Sequence, residues 1–317
     1  MNPAKLYTLT PSQHQQYQTQ PDSNVIPNAE SIIDEYELPQ FVSQTAFRFW
    51  YNTQNEAYPQ HWHDAQEIIV PVQGSYSITL QEKTYVLEPG DIFLVPPGEL
   101  HALPAPEAGA RFVFLLELNA LAKLCNFTNT RTLLASPIHI SAATHPEIYE
   151  TAISLLLKMA TFYWGNSPTK EMHIYSCLLD FYSCYTDYCA GEIPIQLPSE
   201  NTTIRREASE KLDLALHFIE QHYAEDISLE DVAGQVGLSK YYFTRSFKRH
   251  TGQTFCEYLN ALRISTAEKL LKETSLSISS ICKSCGYSCI SSFNRTFRRY
   301  KGYTPSEYRN IHSHEDE

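Results

Sequence analysis

Two copies of one short segment occur in this sequence, and they begin at Gly237 and Gly286. Each copy contains the pattern Phe-x-Arg-x-Phe followed by two basic residues, and each ends at a glycine, Gly252 or Gly302. The stretch between the first glycine and the first phenylalanine is one residue longer in the second copy. A repeat at this spacing indicates a duplicated supersecondary unit, so the fold must contain the same local structure twice.

Each copy has the features of a helix-turn-helix. A short helix, predicted over 229–236 and again over 278–285, ends at the glycine, which supplies the positive φ that a sharp turn needs. A serine follows as the cap of the second helix. That second helix buries two phenylalanines one turn apart, Phe243 and Phe247 in the first copy and Phe293 and Phe297 in the second.

Polar and basic side chains occupy the opposite face of each second helix, as in helices that read the major groove of DNA. We predict DNA contacts from Ser239, Lys240, Tyr241, Thr244, Arg245 and Lys248 in the first copy, and from Ile290, Ser291, Asn294, Arg295 and Arg298 in the second. For one copy alone, a surface helix with a solvated charged face explains the pattern equally well. The duplication favours the interpretation that these faces bind DNA.

A spacer helix is predicted between the two copies, from Thr254 to Lys272. At ~1.5 Å per residue it would be roughly 28 Å long. Two recognition helices at its ends would lie about one DNA turn apart, ~34 Å, and one chain would reach two successive major grooves.

The region 227–309 resembles the DNA-binding domain of the AraC/XylS family of transcription regulators. The resemblance is most specific in the second copy, in Gly286-Tyr287, in Phe293 to Gly302, and in the following Tyr-Thr-Pro-Ser-Glu-Tyr-Arg that ends at Arg309. It implies sequence-specific binding to double-stranded promoter DNA, usually to activate transcription, which makes RNA polymerase a further expected partner.

Three cysteines in the second copy, Cys282, Cys285 and Cys289, depart from the family pattern. A zinc site needs four ligands, and no fourth Cys or His follows at the usual spacing in this unit. Cys282 and Cys285 repeat the positions of Ala233 and Val236. We therefore predict that these two pack in the core as small apolar residues and that Cys289 is an exposed thiol.

Charge is divided unevenly along the chain. Residues 240–309 carry 13 Lys and Arg against 4 Asp and Glu, whereas residues 1–204 carry 8 against 21, within a chain of net charge −12. Phosphate contacts depend on local potential, so this total does not exclude DNA. Without a signal peptide, an apolar run of membrane-spanning length or a cysteine framework for disulfides, the sequence predicts a cytoplasmic protein with no membrane partner.

Short β-rich runs fill the region from Thr45 to Leu116 and predict a small antiparallel barrel or sandwich. The expected organisation is a flexible arm over 1–28, a sensing and dimerisation domain over 29–190, a proline-containing linker over 191–204, a DNA-binding domain over 205–310 and an acidic tail over 311–317. The predicted fold class is therefore α+β with two domains, the first a β-barrel with a helical pair, the second an all-α double helix-turn-helix.

Two motifs within the β region resemble those of the cupin fold, a jelly-roll barrel with a central pocket. They are His61-Trp-His63-x3-Glu67-x6-Gly74 and Gly90-x5-Pro-Pro-Gly-Glu-Leu-His101, although the asparagine that often ends the second motif is absent. In catalytic cupins the matching residues, here His61, His63, Glu67 and His101, bind a divalent metal. In sensor domains that resemble cupins, the same residues commonly meet an organic effector without metal, and this metal-free alternative is the one we favour.

Trp50 and Trp62 would complete such an effector pocket by stacking on a sugar ring, although aromatic residues in a β-barrel also simply fill its core. Beyond the barrel, two amphipathic helices are predicted over 145–163 and 170–188. In the resembled family such a pair is the usual homodimer contact. The alternative is that both helices only cover the barrel.

The sequence predicts a transcription regulator controlled by a small-molecule effector, either a sugar or another carbon-source metabolite, with no catalytic residue and no required cofactor. One alternative is a cupin metalloenzyme, an isomerase or dioxygenase, with an accessory DNA-binding module. Its support is the complete set of three histidines and one glutamate. A second alternative is a constitutive DNA-binding protein whose barrel is only structural.

Overall fold

The computed structural model of the chain describes residues 9–18, 32–33, 35–39, 41–42, 45–106, 108–190 and 200–312. The chain divides into two units, Met1–Arg206 and Glu207–Glu317. The first is rich in antiparallel β-sheet and the second is helical, as the predicted fold class requires. No helix within the described ranges carries an apolar stretch long enough to cross a lipid bilayer.

Eleven strands form the β part of the described first unit. In chain order they are β1 Ile32–Ile33, β2 Tyr36–Glu37, β3 Phe47–Asn52, β4 Tyr58–His61, β5 Gln66–Gln73, β6 Tyr76–Leu80, β7 Lys83–Leu87, β8 Ile92–Val95, β9 His101–Leu103, β10 Ala110–Leu116 and β11 Ile138–Ile140. One sheet has the order β11-β8-β5-β10-β3 and a second the order β4-β9-β6-β7, with a β1-β2 hairpin beside them. All strand pairs within these sheets are antiparallel.

The two larger sheets pack face to face because alternate residues of each strand are apolar. Ile69, Phe93 and Val95 of the five-stranded sheet share one buried cluster with Tyr76 and Ile78 of the four-stranded sheet. Side chains at the odd positions of β5 therefore face the space between the sheets. This places Glu67 in that space, next to the rings contributed by the other sheet.

The outer face of the five-stranded sheet is covered by helices of the first unit. These are α1 Pro11–Gln18, α2 Leu118–Leu124, α3 Thr128–Leu133, α4 Pro146–Tyr163 and α5 Lys170–Cys189. The apolar faces predicted for α4 and α5 pack against each other and against this sheet, with Met159 and Phe181 almost completely buried. Covering the sheet is thus one use of the helical pair, and a contact between two chains would need its outer surface.

The structure differs from the predicted flexible arm at Pro11–Gln18, which form α1. Thr10 and Gln13 exchange hydrogen bonds at its start, with the backbone N–H of each donating to the side chain of the other. Tyr17 is only 2% exposed, and its ring lies 5.1 Å from that of Phe112 and 5.2 Å from that of Trp164. Burial of this tyrosine holds the helix on the barrel. Positions 1–8 and 19–28 of the predicted arm lie outside the described residues.

The predicted linker also ends earlier than expected, because helix α6 spans Glu200–His222 and does not begin at Arg205. Its early residue Thr202 is fully buried and donates a hydrogen bond to Glu99, a contact 103 positions away that sequence patterning does not encode. Residues 191–199 lie outside the described part. The predicted acidic tail begins inside the last helix, and 313–317 are likewise not described.

The second unit contains the two predicted helix-turn-helix copies. Its helices after α6 are α7 Leu229–Gln235, α8 Lys240–Thr251, α9 Phe255–Glu273, α10 Ile278–Ser284, α11 Ile290–Lys301 and α12 Pro305–His312. The turns use Gly237 at φ 66° and Gly286 at φ 77°, as predicted. Ser239 caps α8 through a hydrogen bond from the backbone N–H of Tyr242. The serine cap predicted for the second copy is wrong, because Cys289 occupies the N-cap of α11 and makes no side-chain bond there.

Helix α9 contributes to two separate cores. Phe255 and Leu259, near its start, pack in the first core with Phe243 and Phe247. Ile264, Ala267 and Leu271, further along, pack in the second core with Phe293 and Phe297. The second core also takes in Cys282, which is 3% exposed, and Cys285, which is completely buried, as predicted, while Cys289 is exposed.

An ion-pair network ties α9 to the last two helices. The carboxylate of Glu268 accepts hydrogen bonds from Lys301, from Lys272 at 3.1 Å and from the Tyr308 hydroxyl at 2.5 Å. Burial acts to raise the pKa of Glu268, but these three donors outweigh it and lower the pKa from 4.5 to about 2. The charged carboxylate is therefore the form that stabilises this corner.

We expect Glu268→Gln to lower the free energy of unfolding of the second unit by ~1–2 kcal/mol at pH 7, after allowance for the partial solvent exposure of the network. Because the folded-state pKa is depressed, this contribution is complete above pH 4.5 and is lost as the pH falls towards 2. Urea unfolding at several pH values measures it, with Glu273→Gln on the exposed surface of the same helix as control. Equal losses in both variants, or no pH dependence, would contradict the assignment.

Candidate functional site

Three imidazoles and one carboxylate meet between the two sheets of the first unit. The ligand-type atoms of His61, His63, Glu67 and His101 all lie within 4.8 Å of one another, and all four side chains are buried. His61 ends β4, Glu67 lies on β5 and His101 begins β9, so three strands from both sheets build the cluster. The four residues that the two sequence motifs single out are thus brought together.

Backbone hydrogen bonds fix the orientation of the three rings. The Nδ1 atoms of His61, His63 and His101 each lie 2.9 Å from a carbonyl oxygen, those of Pro59, Ala65 and Glu99 respectively. A carbonyl oxygen only accepts, so each Nδ1 carries a proton and donates it. In a neutral ring, Nε2 then presents its lone pair to the centre of the cluster.

The Glu67 carboxylate lies among these Nε2 atoms, with Oε2 3.1 Å from His101 and 3.5 Å from His63. Burial acts to raise the pKa of Glu67, but the hydrogen bonds of His101 and His63 outweigh it and hold the pKa well below its usual value. Burial, reinforced by His101 and His63, lowers the pKa of His61 well below 6.5. The centre therefore contains an anionic carboxylate and at least one neutral ring.

This donor set fits a divalent transition-metal ion. Imidazole nitrogens and a carboxylate oxygen are ligands that Mn, Fe, Ni and Zn accept. A hydrogen bond from Nδ1 to a backbone carbonyl is also the usual outer contact of a metal-binding histidine, because it fixes the tautomer that coordinates. Such an ion would be held by His61, His63, Glu67 and His101, and it would supply a positive charge and a Lewis acid at the centre.

A second carboxylate, not found from the sequence, reaches the same cluster. Glu37 on β2 places Oε2 3.3 Å from Nε2 of His61 and accepts a hydrogen bond from the Tyr58 hydroxyl at 2.7 Å. Burial raises the pKa of Glu37. Because β1 and β2 are two residues long each, they carry no alternation that would have identified this glutamate in the sequence.

The two tryptophans assigned to the effector pocket lie in different surroundings. Trp62, between two clustered histidines, packs edge-on against Tyr36 with ring centroids 4.7 Å apart, and the Arg205 guanidinium lies 5.5 Å from its ring. Trp50 belongs to a small apolar cluster with Ala65 and Leu115. Both are less than 10% exposed, at 6% and 7%, so each fills space in the domain and neither is an open stacking surface.

In the second unit, α8 and α11 present the predicted polar faces. Ser239, Lys240, Tyr241, Thr244, Arg245 and Lys248 are all exposed, as are Ile290, Ser291, Arg295 and Arg298, whereas Asn294 is half-buried. The Lys240 ammonium pairs with Glu230 of α7, so part of its charge is neutralised within the fold. Asn294, Arg295, Arg298 and Arg299 line one open groove together with Thr304. Clustered guanidinium groups of this kind suit phosphate and guanine.

Two family models match this chain. A model described as the AraC-like ligand binding domain matches residues 47–137, which include the whole His-Glu cluster. A helix-turn-helix domain model matches residues 232–311, which include α8 and α11. The two matched regions thus coincide with the two parts of the chain in which the predicted site residues lie.

Similar proteins are transcription regulators and not enzymes. The regulatory protein PocR of Salmonella typhimurium is 40% identical over 99 residues, 31% of this chain and 33% of PocR, so the match spans about a third of that relative. The transcriptional activator RhaS of Enterobacter sp. (strain 638) is 26% identical over 267 residues, 80% of this chain and 88% of RhaS. The raffinose operon regulatory protein RafR of Pediococcus pentosaceus is 25% identical over 232 residues, 71% of this chain and 76% of RafR.

Proposed function

We propose that a small-molecule effector bound in the β domain of this chain controls how the chain binds promoter DNA. The premise is that the chain belongs to the AraC family of DNA-binding transcription regulators. The observation that carries this proposal is the buried His-Glu cluster in the matched ligand-binding region. A purely structural barrel would have no use for five ionisable side chains at its centre, since burying them costs free energy that apolar residues would not.

DNA readout is assigned to α8 and α11. Each is amphipathic, with two phenylalanines buried in its own core and basic side chains exposed. Arg245 and Arg295 occupy the same position in the two copies, and guanidinium groups pair with guanine through two parallel hydrogen bonds. We assign these two arginines to base edges, and the remaining exposed residues of both helices to the surrounding bases and phosphates.

A sugar or related polyol is the effector class we assign to the β domain. Imidazole and carboxylate groups together offer both donors and acceptors, which hydroxyl-rich ligands require. His61, His63, Glu67 and His101 would supply these contacts, and Trp50 and Trp62 would shape the walls by their packing. The name of RafR, which refers to the raffinose operon, agrees with a sugar.

Two macromolecular partners complete the proposal. A homodimer would use the outer surfaces of α4 and α5, where Met172 is 71% exposed although it is a large apolar side chain. RNA polymerase would be the partner in activation. Sedimentation of the purified chain tests the first, and promoter-dependent transcription with purified polymerase tests the second.

We expect His63→Gln and Glu67→Gln to remove the response to the effector and to leave effector-free DNA binding unchanged. A thermal-shift screen of sugars identifies the effector first, because a ligand at 100 times its Kd stabilises the folded protein by about 2.7 kcal/mol. Gel-shift titrations with and without it then compare the variants with wild type. The matched control is His139→Gln, which alters a histidine paired with Asp91 at 2.9 Å on β11, outside the cluster.

The proposal is wrong if the two cluster variants respond to the effector as wild type does. It is also wrong if no small molecule changes DNA affinity, in which case the chain is a constitutive DNA-binding protein. Variants that fail to fold are recognised by their own melting curves, and His61→Gln then takes their place.

A further inference from the structure

A buried arginine lies on the same inner face of the five-stranded sheet as the His-Glu cluster. Arg111 of β10 pairs with Pro71 of β5, and Leu115 of the same strand pairs with Glu67. Paired residues and residues two apart on a strand share a face, so the Arg111 side chain points into the space between the sheets, as that of Glu67 does. The two positions lie about 13 Å apart along the strands.

The four-stranded sheet supplies the surface on which Arg111 packs. Its Cζ atom lies 4.0 Å from the centroid of the Tyr76 ring, and Tyr76 belongs to the buried cluster between the sheets. Arg111 is 4% exposed and Tyr76 is 3% exposed. Because a guanidinium stays protonated in proteins, a full positive charge is enclosed at this end of the interior.

The contacts of this guanidinium leave part of it unused. Nη1 donates a hydrogen bond of 3.2 Å to the backbone carbonyl of Gln54, and the Tyr76 side chain makes a further polar contact. The buried Nε has no hydrogen-bond partner among the described residues. Burial lowers the pKa of Arg111, and the charge of Glu67 acts against this from a distance. That carboxylate is itself held by two histidines of the cluster.

A ligand carboxylate would meet what Arg111 lacks. Arginine is rarely buried in proteins without a charged partner, because an unpaired charge between apolar walls costs free energy. The planar guanidinium presents two parallel N–H groups to the two oxygens of one carboxylate. Such a group would accept the Nε proton and neutralise the charge together. A neutral hydroxyl could accept the proton, but it would leave the charge unpaired.

We propose that the effector of this chain is a sugar acid, a polyol that carries a carboxylate, and that Arg111 binds this carboxylate. The hydroxyl groups meet the His-Glu cluster, and the carboxylate lies at the Arg111 end of the same inner face. The Tyr76 ring holds the guanidinium plane in position for the ligand. This inference rests on the proposed function and names the ligand class of that site.

The stability of the ligand-free chain gives the first test. Arg111→Met replaces the guanidinium with an apolar side chain, and the carbonyl that it releases belongs to Gln54, an exposed residue. We expect the melting temperature of the β domain in the full-length variant to rise by about 2 °C or more, because an unpaired buried charge is removed. Arg131→Met is the matched control, since that guanidinium donates to Asn119 at 2.7 Å and its loss should give no rise.

Ligand selectivity gives the second test. Calorimetric titrations of the full-length chain compare glucuronate with glucose, galacturonate with galactose, and gluconate with glucitol. We expect at least one acid to bind about tenfold or more tightly than its neutral partner, and Arg111→Met to lose that difference. Arg111→Lys keeps the charge without the two parallel N–H groups, so it should bind the acid more weakly than wild type but still prefer it. Inorganic phosphate, titrated alone, is the comparison anion.

Four results would overturn the inference. They are that no acid binds more tightly than its neutral partner, that Arg111→Met binds the acid as wild type does, that phosphate alone binds as tightly as the acid, or that Arg111→Met lowers the melting temperature. The last result would give Arg111 a structural role. If Arg111→Met does not fold, Arg111→Lys decides, because unchanged affinity for the acid would contradict the assignment. The proposed function fails by a different result, the absence of any small-molecule effect on DNA affinity.

Discussion

Replacing Phe297 with alanine is expected to lower the free energy of unfolding of the second helix-turn-helix by ~3–5 kcal/mol, the usual cost of a phenylalanine deletion in a core that cannot collapse. Its ring is completely buried, with its centroid 5.8 Å from that of Phe293 and 5.5 Å from that of Tyr308. Few other groups are available to fill the cavity, because the core around Phe297 has about ten buried members.

Urea unfolding monitored by circular dichroism measures this loss. Ile290→Ala is the matched control, since Ile290 lies on the same helix and is 44% exposed, so its truncation should cost no more than ~0.5 kcal/mol. Hydrogen exchange adds a spatial test, because α11 should lose more protection than α8, whose phenylalanines belong to the other core. Similar losses for Phe297→Ala and Ile290→Ala would show that the phenylalanine does not anchor the helix.

Removal of either arginine that we assign to a base edge should have the next largest effect. Arg245→Ala and Arg295→Ala are each expected to weaken binding to the specific site by ~1–3 kcal/mol, about 5- to 150-fold, and to weaken binding to random DNA less. The reason is that the hydrogen bonds between the guanidinium and a guanine edge form only on DNA that presents that guanine, so only there does the substitution remove them. Both side chains are exposed on their helices, so the substitutions should leave the melting temperature nearly unchanged.

Gel shifts on promoter and random duplexes at one fixed salt concentration measure the two losses. Lys269→Ala controls for removal of one exposed positive charge on α9, outside both second helices. Lys240→Ala is a second comparison, because its ammonium already pairs with Glu230 and should contribute less to DNA affinity. An equal loss on both duplexes would identify Arg245 and Arg295 as phosphate contacts and contradict their assignment to base edges.

Local signals in the sequence predict the two helix-turn-helix copies of the second unit, except for the N-cap of α11. The phenylalanine spacing predicts the buried pairs, and the glycines predict the turns, because both depend on residues within a few positions of one another. The major strands follow for the same reason, from β-rich runs bounded by turn residues. The fixed spacing of the two motifs also predicts that the four cluster residues meet. Only the structure shows that all three Nδ1 atoms donate hydrogen bonds to backbone carbonyls.

The features that sequence patterning missed depend on distant partners. Helix α1 has little amphipathic character and depends on one tyrosine that packs against the barrel. Glu37 belongs to a strand two residues long, which has no measurable alternation. The start of α6 follows a segment with two prolines and reads as a linker, yet Thr202 finds its partner at Glu99 in the barrel. None of these contacts is visible within a short window of sequence.

Helix α9 joins α8 and α11 as one continuous element. If these two helices read DNA as proposed, α9 limits how the chain can change its target during evolution. Insertion of one residue would turn α11 by ~100° and move it ~1.5 Å, so its arginines would leave the groove in which the proposal puts them. About seven residues, close to two full turns, would be needed to restore the direction, at a shift of ~10 Å. Single insertions in α9 would therefore not preserve the proposed DNA contacts of both helices. On this proposal, new promoters would be reached by substitutions on α8 and α11, at a fixed distance between the two half-sites.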